Sequence, residues 1–291
     1  MEISADLLVN ALISGILLAG FYAAVSVGIG IAFGMLDVVN IAHPAFIVLG
    51  SYVAYMANQM VGADPIVTAV VLSPAFFLLG LVLYRVYYYS FERRGQESLR
   101  GLAFFFGILF ITEVALILIF GVDYRTVNTA YSETTWRAGF VDFPLRLVVP
   151  FVVSLAMTLG LHFYFSRTFF GRAVLAVAQD PLALQLMGIN PRRVKELAFA
   201  LSISTAGVAG AFLIVIQPVQ PSLGRVYIGL VFAITVLGGL GSIPGTMVGA
   251  AILGIAESFT ATFFGPSWSP AVSFGLLLAA LAFRPSGLLG R

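Results

Sequence analysis

LLVNALISGILLAGFYAAVSVGIGIAFGM, residues 7–35, carries no charged side chain. At the 1.5 Å rise per residue of an α-helix it exceeds the ~20 residues that a bilayer crossing needs. Gly15, Gly20, Gly28, Gly30 and Gly34 punctuate it. It therefore reads as one tilted helix, or as a helix followed by a broken segment. A membrane β-barrel would show short alternating strands instead of a continuous apolar run.

Eight more apolar runs follow: Phe46–Val61, Ile66–Tyr89, Leu102–Gly121, Leu147–Phe165, Leu197–Ile216, Val226–Leu240, Thr246–Phe264 and Ala271–Phe283. Phe46–Val61 and Val226–Leu240 are short and suit segments that enter the bilayer without crossing it. The expected fold is an all-α polytopic transmembrane bundle of eight or nine helices, some broken or re-entrant. Composition agrees, with 60% hydrophobic and 10% charged residues and a mean hydropathy of +1.04. Soluble domains carry about 25% charged residues. That difference excludes a soluble enzyme or a nucleic-acid binder. Residues 1–291 form one transmembrane domain, because nine spans leave no room for a soluble domain of ~100 residues. Cysteine is absent, which removes disulfides, thiolate metal sites and cysteine catalysis. MEISADLLVN has no basic n-region, so it does not read as a cleaved signal peptide.

Orientation follows from arginine. Arg93, Arg94 and Arg100 lie in one segment, and Arg167, Arg172, Arg192, Arg193 and Lys195 in another two spans later. Both share one side, which the positive-inside bias places in the cytoplasm. The tail ending in Arg291 then lies inside. The 122–146 loop and the acidic N-terminus, Glu2 and Asp6, lie outside.

The cytoplasmic segment 167–195 holds the sharpest local signal, within GRAVLAVAQDPLALQLMGINPRRVKEL, residues 171–197. Asp180 suits an N-cap, Pro181 the first helical position, and Gly188 the left-handed residue that ends a helix. Between them lie Leu182, Ala183 and on to Met187, about two turns. Leu182, Leu186 and Ile189 form an i, i+4, i+7 stripe with Leu184 and Met187 beside it. A helix this short is unstable alone in water and needs a surface. A partner's groove and the bilayer surface both serve on spacing alone. Asn190 and Pro191 then open the next helix. Its first turn holds Arg192, Arg193 and Lys195, where the macrodipole disfavours cations. Anionic headgroups and positive-inside anchoring can offset that cost.

Two breaks interrupt the apolar pattern. At Asn40-Ile41-Ala42-His43-Pro44 a new helix starts, and at membrane depth its free N–H groups would face a cavity or a neighbouring helix. Asn40 and His43 are thus candidate pathway residues, set against the plainer reading of His43 as a packing residue. The second break, Gly238–Gly245, contains Ser242 but no nucleotide-binding motif, and reads as a turn between packed helices. The two breaks echo paired broken helices, although unrelated Gly-rich packing faces account for the echo more simply. Glu113 and Glu257 lie inside apolar runs, where carboxylates are costly and often functional. No HExxH or GxSxG motif supports a membrane hydrolase.

At these residues the chain resembles the LivH-type permease subunit of branched-chain amino acid ABC importers. The resemblance is carried by GFYAAVSVGIGIAFGMLDVVNIAHPAFIVLGSYVAY (20–55), AVAQDPLALQLMGINPRRV (176–194), VLGGLGSIPGTMVGAAILGIAES (236–258) and FRPSGLLGR (283–291). It departs at Pro44, where such chains often have Gly, and near Leu230, where they often have Lys. The resemblance implies a coupling helix that docks into a cytosolic ATPase, made here by Asp180, Pro181, Leu182, Ala183, Leu186, Met187, Gly188 and Ile189. It implies a second permease subunit, two ATPase subunits that carry ATP and Mg, and a periplasmic substrate-binding protein. No cofactor would be bound by this chain, and no nucleic acid. The location would be the bacterial inner membrane among its lipids, and the mechanism alternating access. Asn40, His43, Ser242 and Glu257 would lie along the path. The cargo would be a branched-chain or other amino acid, or a related small carboxylate or amide. The rival readings are a passive urea- or amide-like channel, a proton-coupled carrier using Glu113 or Glu257, and a structural membrane subunit.

Overall fold

A computed structural model of the chain describes residues 5–95, 97–139, 141–284 and 286–290. Glu2 and Arg291, used above for orientation, lie outside these. In chain order the helices are α1 (Ala5–Ala32), α2 (His43–Val61), α3 (Pro65–Ser90), α4 (Glu97–Phe120), α5 (Leu145–Arg167), α6 (Phe169–Gln179), α7 (Pro181–Leu186), α8 (Pro191–Ile216), α9 (Leu223–Gly238), α10 (Ile243–Phe263) and α11 (Ser269–Phe283). The nine apolar runs correspond to α1–α5 and α8–α11. By length and composition seven of these can cross a membrane; the exceptions are α2 and α9. The first run is a single unbroken helix that ends in a turn at residues 33–36.

Two helices form the centre. In their most apolar windows α1 is 72% and α8 83% buried, against 22% for α3, α4 and α5. Small residues let backbones approach, as is usual where lipid offers no hydrophobic drive between helices. Ala11, Gly15 and Ala19 of α1 face Gly254 and Ser258 of α10, and Ser258 Oγ donates to the Ala11 carbonyl at 2.7 Å.

Polar contacts show which helix ends share a face. Lys195 at the start of α8 meets Glu92 beyond the end of α3, so these two ends share one face. At the opposite face Asn10 accepts from the Asp142 N–H at 2.8 Å, and Arg125 bridges Val219. The outer loop also forms a small hairpin, β1 (Thr135–Ala138) with β2 (Val141–Pro144), antiparallel with Thr135 opposite Pro144. This hairpin is an addition to the all-α expectation.

The echo of Asn40–Pro44 at Gly238–Gly245 is not found, but another segment mirrors the first break. α2 starts beside Val25, whose carbonyl is 3.1 Å from His43 Nε2. Val25 precedes the end of α1 by seven residues, roughly 10 Å of rise. α9 likewise starts inside the bundle: Gly224 lies against Ala45, and Arg225 pairs with Glu113, seven residues before the end of α4. The counterpart of the Asn40–Pro44 break is therefore 217–222. α1 and α8 run in opposite directions, so the two breaks enter from opposite faces. Gly238–Gly245 is the turn between α9 and α10, with Gly239 at φ +106° and Gly241 at φ +77°.

Candidate functional site

Segment 167–195 folds as two helices ahead of α8. α6 is amphipathic and was not anticipated, although Ala173, Val174 and Val177 mark its buried face. Thr168 caps it, accepting from the Gly171 N–H at 3.1 Å. α7 is capped at both ends. Asp180 Oδ1 accepts from the Leu182 and Ala183 amides, each at 2.9 Å, and Pro181 occupies the first position. At the far end Gly188 takes φ +80°, and the amides of Met187, Gly188 and Ile189 donate to the carbonyls of Ala183, Gln185 and Leu184.

The apolar stripe differs from the expected one. Leu184 is 3% exposed and roots α7 on the bundle, while Ile189 is half-buried against the core. The helix ends at Leu186, so the i+7 position no longer shares its face. The outward ridge is Leu182, Leu186 and Met187, at 66%, 83% and 76% exposed. Two of the cations in the first turn of α8, Arg192 and Lys195, are met by α3 and the residues after it. Lys195 Nζ lies 2.7 Å from Glu92 Oε1, and Glu92 Oε2 accepts from Tyr84 at 2.7 Å. Arg85 pairs with Glu196, and the Arg192 guanidinium lies over Tyr88 and Tyr89 at 4.8 and 4.5 Å. Neighbouring charges and rings thus offset the dipole conflict.

The candidate pathway residues do not converge. Asn40 and His43 lie together, both fully buried. The first-turn amides of α2 are not free, contrary to expectation. Ala42 donates to Asn40 Oδ1, His43 to the Asn40 carbonyl, and Ala45 and Phe46 to the Ala42 carbonyl; Pro44 has no N–H. His43 is wedged against Gly28 and Thr205, between α1 and α8. Since a carbonyl only accepts, its Nε2 carries the proton toward Val25. Ser242 sits at the inner end, caps α10 through the Gly245 N–H at 3.1 Å, and lines a cavity of about 430 Å³ with Met35, His162 and Gln179. Glu257 lies in the outer half, six residues before the end of α10, and accepts from Tyr22 at 2.6 Å.

The remaining partners were not legible. Glu113 pairs with Arg225 Nη2 at 2.8 Å. Gln217 Nε2 donates to Tyr227 at 2.8 Å and also lines an outer cavity of about 480 Å³ with Tyr124, Thr126, Pro218 and Leu223.

Residues 11–281 match the family described as the permease component of the branched-chain amino acid transport system. The chain is 33% identical to the high-affinity branched-chain amino acid transport system permease protein LivH of Escherichia coli, over 96% of this chain and 94% of that one. It is 30% identical to the corresponding permease protein BraD of Pseudomonas aeruginosa, over 96% and 95%. The LivM permease of E. coli is similar at 25% identity, over 92% of this chain and 67% of that one. No solved structure matches. With its apolar helices and this match across nearly the whole sequence, the chain is a multi-pass inner-membrane protein and belongs to the branched-chain amino acid transport system permease family.

Proposed function

We propose that this chain is one of two permease subunits of an ATP-driven importer. The cargo is a branched-chain or other amino acid, or a related small carboxylate or amide, delivered by a periplasmic binding protein. Two cytosolic ATPase subunits carry ATP and Mg, and this chain hydrolyses nothing itself. Their closure is transmitted through α7 to the bundle, which alternates between outward and inward access.

One observation carries the reading: a six-residue helix, capped at both ends and rooted by Leu184, presents Leu182, Leu186 and Met187 outward, away from the bundle. Such a ridge is too small to be stable alone and suits a groove on a soluble partner. A proton-coupled carrier is less well supported, because both candidate carboxylates are engaged: Glu113 by Arg225 and Glu257 by Tyr22.

The test is Leu186→Asp in the reconstituted transporter. Leu186 is nearly free of the bundle, so membrane level and stability should be unchanged while ATP-dependent uptake and stimulated ATPase activity are lost. Survival of both activities refutes the coupling role.

A further inference from the structure

Arg225 is the charge that lipid cannot cover. Its side chain is 52% exposed, yet it sits in the first turn of α9 at the depth of Glu113, roughly 10 Å inside the outer end of α4. It does not extend toward the headgroups, because Nη2 is held by Glu113 Oε1 at 2.8 Å and the guanidinium lies 6.0 Å from the Phe110 ring. The surrounding surface is apolar and open: Val226 is 59% exposed, Phe106 52% and Val114 48%. A guanidinium has five N–H donors, and Glu113 cannot satisfy the exposed edge. In hydrocarbon those donors would stay unmatched, which is why intramembrane charges face protein or a water-filled path.

We propose that this α4–α9 face is the seam with the second permease subunit, and that the partner brings a hydrogen-bond acceptor to the depth of Arg225. The occupant must be a membrane chain, since the face lies within the bilayer. A second copy fits less well. Among the described residues the carboxylates set well inside the outer half of the spans, Glu113 and Glu257, are each already engaged within their own copy, and Asp6 lies in the first turn of α1, at its outer end rather than at the depth of Arg225. The matches to BraD and LivH on one side and LivM on the other are to separately named permeases, which accords with a related but different chain. The proposal rests on the pairing of two permeases proposed above. It adds which face pairs.

The chain has no cysteine, so single cysteines report on single positions. Val226→Cys and the control Val70→Cys, 66% exposed on α3, would be coupled to benzophenone-maleimide in membranes containing the intact transporter, irradiated, and their adducts sequenced. The expected result is a cross-link from position 226 to a membrane helix of the different family permease, at least tenfold above position 70. Only lipid adducts at 226, with the second permease still co-purifying, overturn the seam. Adducts only to another copy of this chain overturn the choice of occupant. Absence of any co-purifying permease overturns the two-subunit reading itself. As a second measurement, Arg225→Met with Glu113→Leu makes the face wholly apolar. Co-purification of the second permease should fall several-fold at unchanged membrane level, whereas a lipid-facing surface would leave it unchanged.

Discussion

Replacing Gly254 by Ala tests the central α1–α10 contact that sets the position of Glu257. A Cβ at Gly254 would lie 2.8 Å from the Gly15 carbonyl oxygen, 2.9 Å from Ala19 N and 3.0 Å from Ala19 Cα. All three are backbone atoms and cannot swing aside. Ordinary contact is about 3.5–4 Å, so the helices must separate by roughly 0.5–1 Å. Overpacking of this kind costs typically 1–3 kcal/mol. Separation also stretches the 2.7 Å bond from Ser258 to Ala11, worth about 1 kcal/mol. Against this stands a gain in helix propensity of at most about 1 kcal/mol. The net expectation is a loss of about 2 kcal/mol. Gly160 in α5 is the matched control, since a Cβ there meets nothing within 4 Å. Gly160→Ala should therefore be neutral or stabilising by up to ~1 kcal/mol. Equilibrium unfolding in lipid bicelles, followed by far-UV circular dichroism, compares the two. If Gly254→Ala is as stable as Gly160→Ala, the close helix approach is refuted. Uptake should fall with Gly254→Ala, because Tyr22 and Glu257 bridge the same two helices.

Two further substitutions separate coupling from proton chemistry. Asp180→Ala removes both hydrogen bonds of the N-terminal cap of α7, at a cost of about 1 kcal/mol, so stimulated ATPase activity should drop several-fold while global thermal stability stays put; a matching loss of stability would show that α7 is not a separable unit. Glu257→Gln keeps an acceptor for Tyr22 but removes the charge, so ATP-driven uptake should persist without dependence on a pH gradient; abolished uptake that a proton gradient controls in the parent chain would favour a carrier.

The family's broad architecture was legible because membrane constraints are local. A chain in hydrocarbon must satisfy its own backbone, so each span announces itself as a long apolar run. Cap chemistry is equally local: Asp180, Pro181 and Gly188 announce the ends of α7 within nine residues, and the structure places all three in those roles. The basic segments were assigned to one face on the same local ground, and Lys195 does meet Glu92 there.

What the pattern could not give is which apolar face meets protein and which meets lipid, because both surroundings are equally apolar. For that reason Met187 takes the outward place expected of Ile189, which with Leu184 turns toward the bundle. The engagement of Glu257 by Tyr22 spans 235 positions, and the Lys195–Glu92 bond spans 103. No window of sequence contains both partners of either pair. The sequence by itself determined that the chain is a bundle of long apolar helices and where the short helix α7 is capped. Only tertiary packing decided which charges are spent inside the bundle and which one, Arg225, is left facing outward, because pairing energy depends on distances that chain order does not encode.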